Sequence, residues 1–158
     1  MMKPVFNVAA VIGVFVILFA SVSGEGQRKV GARKEVKVYL YHEQGEHIDL
    51  SPVTRLVNAN APARPAIEAL LKGPTAEEKQ RGFGELASAS EFRIGSLSIR
   101  GGTVRVNFVS KRSWAGWPGD TAPIRFKTAV ELTLKQFPSV RQVIVSVNGD
   151  AKFYDESG

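Results

Sequence analysis

APIRFKTAVELTLKQFPSVRQVIVSVNG, residues 122–149, decides the fold, because it writes a helix, a stop and a buried strand without a gap. Phe126, Ala129, Val130, Leu134 and Phe137 recur at the three- and four-residue spacing that puts them on one helical face. Pro138 ends that helix, since it has no amide hydrogen to donate and pushes the residue before it out of helical geometry. Val140, Val143, Ile144, Val145 and Val147 then form a β-branched run, closed by the turn pair Asn148-Gly149. A strand apolar on both faces needs cover on both, so other strands should lie beside it and helices above it.

Working backwards, residues 92–109 read as a hairpin around a Gly101-Gly102 turn, with Arg100 opposite Thr103, Ile99 opposite Val104 and Leu97 opposite Val106. That register puts Leu97, Ile99, Val104, Val106 and Phe108 on the inward face and Ser98, Arg100, Arg105 and Asn107 on the outward one, with Arg93 nearby. Residues 36–41 alternate, Val36, Val38 and Leu40 against Lys37, Tyr39 and Tyr41, which predicts a strand. Residues 50–57 read as an edge strand that tolerates Pro52. Pro65 can open a short amphipathic helix carrying Ala66, Ile67, Leu70 and Leu71 on one face, and Gly73-Pro74 closes it. Thr75 and Glu78 are spaced as a capping box for a second short helix, and Asp120 or Thr121 can cap the last one. The expected fold is α+β: a small mixed sheet of about five strands covered by two main helices plus the short capped helix.

The organisation along the chain follows from composition. Residues 5–22 are almost uninterrupted hydrocarbon, at the boundary between a signal-peptide core and a short membrane span, and Val22-Ser23-Gly24 offers small residues for cleavage. Residues 1–24 are therefore read as a signal peptide or membrane anchor, 25–35 as a flexible basic tether, 36–153 as one domain and 154–158 as a tail. Arg28, Lys29, Arg33 and Lys34 outnumber Lys3 and the amino terminus, which on the positive-inside tendency alone would hold that side in the cytoplasm. The chain of 158 residues contains no cysteine, so disulfides, thiolate metal sites and lipid attachment at an N-terminal cysteine are excluded. Its formal charge of +6 fits an anionic partner.

Chemistry-bearing residues are few. His42 and His47 lie five apart around a glycine, not one helical turn apart as a zinc-protease helix requires, so residues 42–49 read as a solvated hairpin loop. Gly82-Phe83-Gly84-Glu85-Leu86-Ala87 resembles a dinucleotide fingerprint but follows a helix where that motif needs a strand. No serine sits in a Gly-x-Ser-x-Gly elbow; capping explains Glu77 and Glu78, and loop solvation explains Glu46 and Asp49. The chain reads as non-catalytic, with no cofactor and no metal. Trp114, Trp117 and Asp120 occupy a Gly/Pro-rich loop suited either to a contact surface or to lidding the core; in the first case alanine at both tryptophans would abolish partner capture and leave the melting curve unchanged. Arg100 and Arg105 suit an anionic groove, although an RNA-binding sheet would also carry stacking aromatics.

In order, these pieces resemble the GerMN domain family, known from bacterial spore germination and sporulation proteins and from exported proteins of bacteria that make no spores. The resemblance rests on Val38-Tyr39-Leu40-Tyr41, Leu50-Ser51-Pro52-Val53-Thr54-Arg55 and Ala69-Leu70-Leu71-Lys72-Gly73-Pro74-Thr75 with Glu78. Gly101-Gly102-Thr103-Val104-Arg105-Val106-Asn107-Phe108 and Thr133-Leu134-Lys135-Gln136-Phe137-Pro138 with Val147-Asn148-Gly149 complete it. The chain departs from the family in lacking a lipobox cysteine, in its Ser-rich residues 86–91, and in Asn107 where an acidic residue is common. The resemblance implies an exported, often membrane-tethered module without known catalytic residues, whose sporulation relatives support assembly of an envelope-spanning complex. The expected function is thus a non-catalytic extracytoplasmic binding or assembly module of the cell envelope. Its expected contacts are an envelope protein complex or a peptidoglycan-type polymer, the membrane through an uncleaved N-terminal segment, or a second copy of itself. The alternative is a cytoplasmic or surface basic module binding nucleic acid or another polyanion, which predicts affinity falling steeply with salt.

Overall fold

In the computed structural model, residues 32–45, 47–113 and 115–155 are described, without the side chains of Gln44, His47 and Ile48. The expected signal peptide or anchor, the tether up to residue 31, Glu46 and Trp114 lie outside the described residues. The elements run β1 (Arg33–Gln44), β2 (His47–Asn58), α1 (Ala63–Lys72), α2 (Ala76–Gln80), β3 (Phe83–Gly84), β4 (Phe92–Arg100), β5 (Thr103–Ser110), α3 (Thr121–Lys135) and β6 (Gln142–Val147), with a 3-10 turn at Ala89–Glu91 before β4.

The α+β class is as expected, but the strands divide between two sheets instead of joining one. The first, ordered β2-β1-β3, is antiparallel; the second, ordered β4-β5-β6, pairs β4 with β5 antiparallel and β5 with β6 parallel. The division has a local cause. On the side of β1 away from β2, the Lys37 amide donates to Gln136 Oε1 at 2.7 Å while Gln136 Nε2 donates to the Lys37 carbonyl at 2.7 Å. One turn earlier on α3, Thr133 Oγ1 accepts from the Tyr39 amide at 3.3 Å. Helix side chains thus occupy the hydrogen-bonding edge that a neighbouring strand would need, and they satisfy it as a strand would.

Between the sheets and helices lies one apolar core. Val36, Val38 and Leu40 of β1 face it as their alternation predicts, with Ile67 and Leu70 of α1, Phe126, Val130 and Leu134 of α3, and Val104, Val106 and Phe108 of β5. Each such side chain contributes about 1.5–3 kcal/mol by leaving water.

The β4–β5 hairpin has the register read from sequence, Arg100↔Thr103, Ile99↔Val104 and Leu97↔Val106. Its turn places Gly101 and Gly102 at φ of 55° and 80°, the left-handed pair that a two-residue hairpin needs. The inward face is only partly hydrocarbon-covered: Val104 is fully buried while its partner Ile99, on edge strand β4, is 43% exposed. The loop expected over residues 42–49 is shorter than that, since β1 and β2 pair through His42↔Asp49 to Gln44↔His47, with Gly45 in a turn. Asp120 stands at the N-cap of α3 but makes no capping bond. Near the C-terminus, Phe153 is half-buried and packs on the core.

Candidate binding surface

The best-defined polar constellation is internal. Arg55 leaves β2 on its core-facing side, in phase with Val53 and Val57, and meets the buried Glu78 of α2. Nη1 and Nη2 reach the two carboxylate oxygens at 2.6 Å each, and Nη2 also donates to the Gly73 carbonyl at 3.3 Å. The capping box is formed as expected: the Glu78 amide donates to Thr75 Oγ1 at 3.2 Å and the Thr75 amide donates to Glu78 Oε2 at 2.8 Å. The Arg55 hydrogen bonds, helped by Thr75, hold the Glu78 carboxyl down from an ordinary 4.5 to about 2, against the burial that pushes it up. This group is a lock between β2 and the Gly73-Pro74 corner. It leaves no free acid or base for chemistry, because every oxygen of Glu78 is taken.

The sequence-derived contact residues separate. Trp117 turns inward: its indole lies 5.3 Å from Phe92, 5.5 Å from Phe126 and 5.7 Å from Phe153, centroid to centroid, the last pair stacked. Of the two roles open to this loop, the structure gives Trp117 the core-lidding one, so removing it would disturb the melting curve. Asp120 is exposed at the start of α3, away from any ion pair among the described residues. His42 stacks on Phe83 with centroids 4.2 Å apart, and its Nε2 donates to the Arg81 carbonyl at 3.0 Å. Among the described residues no group of three or more His, Cys, Asp or Glu is placed to hold a metal ion.

Arg100 and Arg105 do come together. They stand on the outward face of the second sheet, Arg105 between Ser98 and Ile144, Arg100 opposite Thr103, with Arg93 farther along β4 opposite Val109. All three arginines are exposed, and among the described residues none has a carboxylate or hydrogen-bond partner for its side chain. Asn107 on the same face is structural: its Oδ1 accepts from Ser146 Oγ and from the Gly149 amide, each at 2.9 Å, which fixes the turn after β6. A carboxylate at this position would accept the same two bonds.

Beside that face runs an open edge. Among the described residues β4 pairs on one side only, and a concavity of about 310 Å³ lies between its start and α1. Leu71, Phe92 and Ile94 supply apolar wall, while the rim carries Arg64 paired with Glu68 at 3.9 Å, together with Lys72 and Arg93. Sequence reasoning missed this groove, because it joins a helix and a strand that are distant in the chain. It missed the Arg55–Glu78 lock too, although an arginine at a core-facing position of a strand was a readable sign of a buried partner.

The family described as Germane, sporulation and spore germination, matches residues 37–152. Among solved structures, the tandem GerMN domains of the sporulation protein GerM from Bacillus subtilis superpose with a TM-score of 0.57 at 23% identity, over 82% of this chain and 43% of that one. The first GerMN domain of that protein gives a TM-score of 0.53 at 22% identity, over 72% of this chain and 84% of the other. This chain therefore spans less than half the length of the tandem structure, and the likeness is one of fold. No curated protein matches it.

Proposed function

Because this chain belongs to the Germane (GerMN) family of sporulation and spore germination domains, we propose that it is a non-catalytic docking module of the bacterial cell envelope, working outside the cytoplasm. It takes an extended segment of a protein partner along the outer edge of β4. The observation that carries this reading is the outer edge of β4, open among the described residues from Arg93 to Arg100, beside the Leu71–Phe92–Ile94 groove. An added strand would pair with the outer backbone edge of β4 beyond Phe92 and place one apolar side chain in the groove, with an acidic neighbour favoured by Lys72 and Arg93. The export half of the reading is supported by the apolar residues 5–22.

Cell fractionation combined with one substitution tests both halves. Ile99 is the pair next to the turn-closing one, so its amide points away from β5, and Ile99→Pro blocks strand addition without breaking the hairpin ladder. The full chain should be found in the envelope and be cleaved by protease added outside protoplasts. Ile99→Pro should remain there, folded, yet fail to support the host process that loss of the gene impairs. A cytosolic chain, or a fully active Ile99→Pro variant, refutes the reading.

A further inference from the structure

Charge is distributed unevenly over the fold. Between Glu91 and Asp120 the sequence carries Arg93, Arg100, Arg105, Lys111 and Arg112 and not one acidic residue, and these residues build β4, β5 and the loop after them. The ion pairs of the described residues all lie elsewhere, on β2, the helices and the segment beside β3. The three strands of the second sheet thus carry Arg93, Arg100 and Arg105 on the outward face and no acidic residue. Its arginines do not converge on one point. Arg93 and Arg100 stand at opposite ends of β4, about 20 Å apart at strand spacing, with Arg105 on the neighbouring strand. Such an array suits many anions spread over a plane better than one bound ligand.

The chain itself supplies the reason for a plane. Residues 23–32, which join the apolar segment to β1, reach at most about 36 Å when fully extended, and they add Arg28 and Lys29. Whenever the apolar segment sits in a bilayer, the domain stays within that distance of its surface. We propose that the Arg93–Arg100–Arg105 face docks on the headgroups of anionic phospholipids, laying the second sheet against the membrane and leaving the β4 edge at the rim of the contact. This goes beyond docking of a protein strand and does not depend on it: Ile99→Pro tests the edge and leaves the arginines intact.

The chain has no cysteine, so a single introduced thiol reports one position. The full chain carries an environment-sensitive fluorophore at Ser98→Cys, beside Arg105, or at Thr54→Cys, exposed on the first sheet, and is added to preformed vesicles. On phosphatidylcholine containing about 30% phosphatidylglycerol, the Ser98→Cys label should shift to the blue and become shielded from iodide, while Thr54→Cys stays accessible; pure phosphatidylcholine should shield neither. About 0.5 M salt should release the label. Replacing all three arginines by glutamine should lower the docked-to-free ratio about a hundred-fold, and Arg105→Gln alone about five-fold with an unchanged unfolding curve. Equal quenching on both vesicle types overturns the proposal, as does shielding that survives the triple substitution. Shielding by a single-stranded oligonucleotide but not by vesicles overturns it as well, in favour of a nucleic-acid face.

Discussion

Glu78→Gln should flatten the acid limb of the stability curve. In the folded chain the Glu78 carboxyl titrates at about 2, below its ordinary 4.5, so protonation is linked to unfolding. The stabilisation is fully present above the unfolded value and is lost as pH falls through the interval from 4.5 towards 2. That displacement corresponds to about 3 kcal/mol, a large share of the 5–15 kcal/mol typical of a whole domain. Glutamine keeps the shape and can still accept from the Thr75 amide, but gives up the paired 2.6 Å bonds from Arg55 in their charged form. Urea unfolding of both proteins at pH steps from 7 to 2 measures the difference directly. The variant should be about 2–3 kcal/mol weaker at pH 7, with the gap closing to near zero at pH 2. A gap that stays constant with pH would refute the reasoning, because it would mean that the ionised Glu78 carboxylate stabilises the fold no more than the protonated acid does.

Trp117→Ala should lower stability by about 3 kcal/mol in thermal or denaturant unfolding, since it vacates the space between Phe92, Phe126 and Phe153; an unchanged melting curve would restore Trp117 to the surface role. Thr133→Val and Gln136→Leu should each destabilise by about 1–2 kcal/mol and speed hydrogen exchange at the amides of Tyr39 and Lys37 respectively, since each strips a partner from the edge of β1. Exchange rates equal to wild type would show that the helix side chains do not close that edge.

Local patterns in the sequence specified the local structure. Pro138 and the run from Val140 placed α3 and β6, and the Gly101-Gly102 pair set the hairpin register to the residue. Thr75 with Glu78 gave the capping box, because each of these signals acts between residues close in the chain. Contacts across the fold were not legible in the same way. Glutamine and threonine on a helix ordinarily mean solvent, and nothing in their spacing says that Gln136 and Thr133 stand in for a strand. For that reason one sheet was expected where two exist. Phe153 sits in a polar context, and nothing near it in the chain announces that Trp117 turns inward to stack on it. The arginines of the second sheet were visible as an outward row, but not their lack of partners, which depends on where every carboxylate ends up.

The parallel join of β5 to β6 sets an order on biosynthesis. A tight turn cannot make it; the whole of α3 must be present first, so the second sheet stays incomplete until Val147 has been added. A product stalled or clipped before residue 142 would hold the β1–β2 ribbon already zipped, yet leave β5 with one unpaired backbone edge and Val104, Val106 and Phe108 without the neighbouring Val143, Val145 and Val147. Such fragments would cling to one another or attract a chaperone, which makes intact synthesis of the last tenth of the chain a checkpoint for solubility.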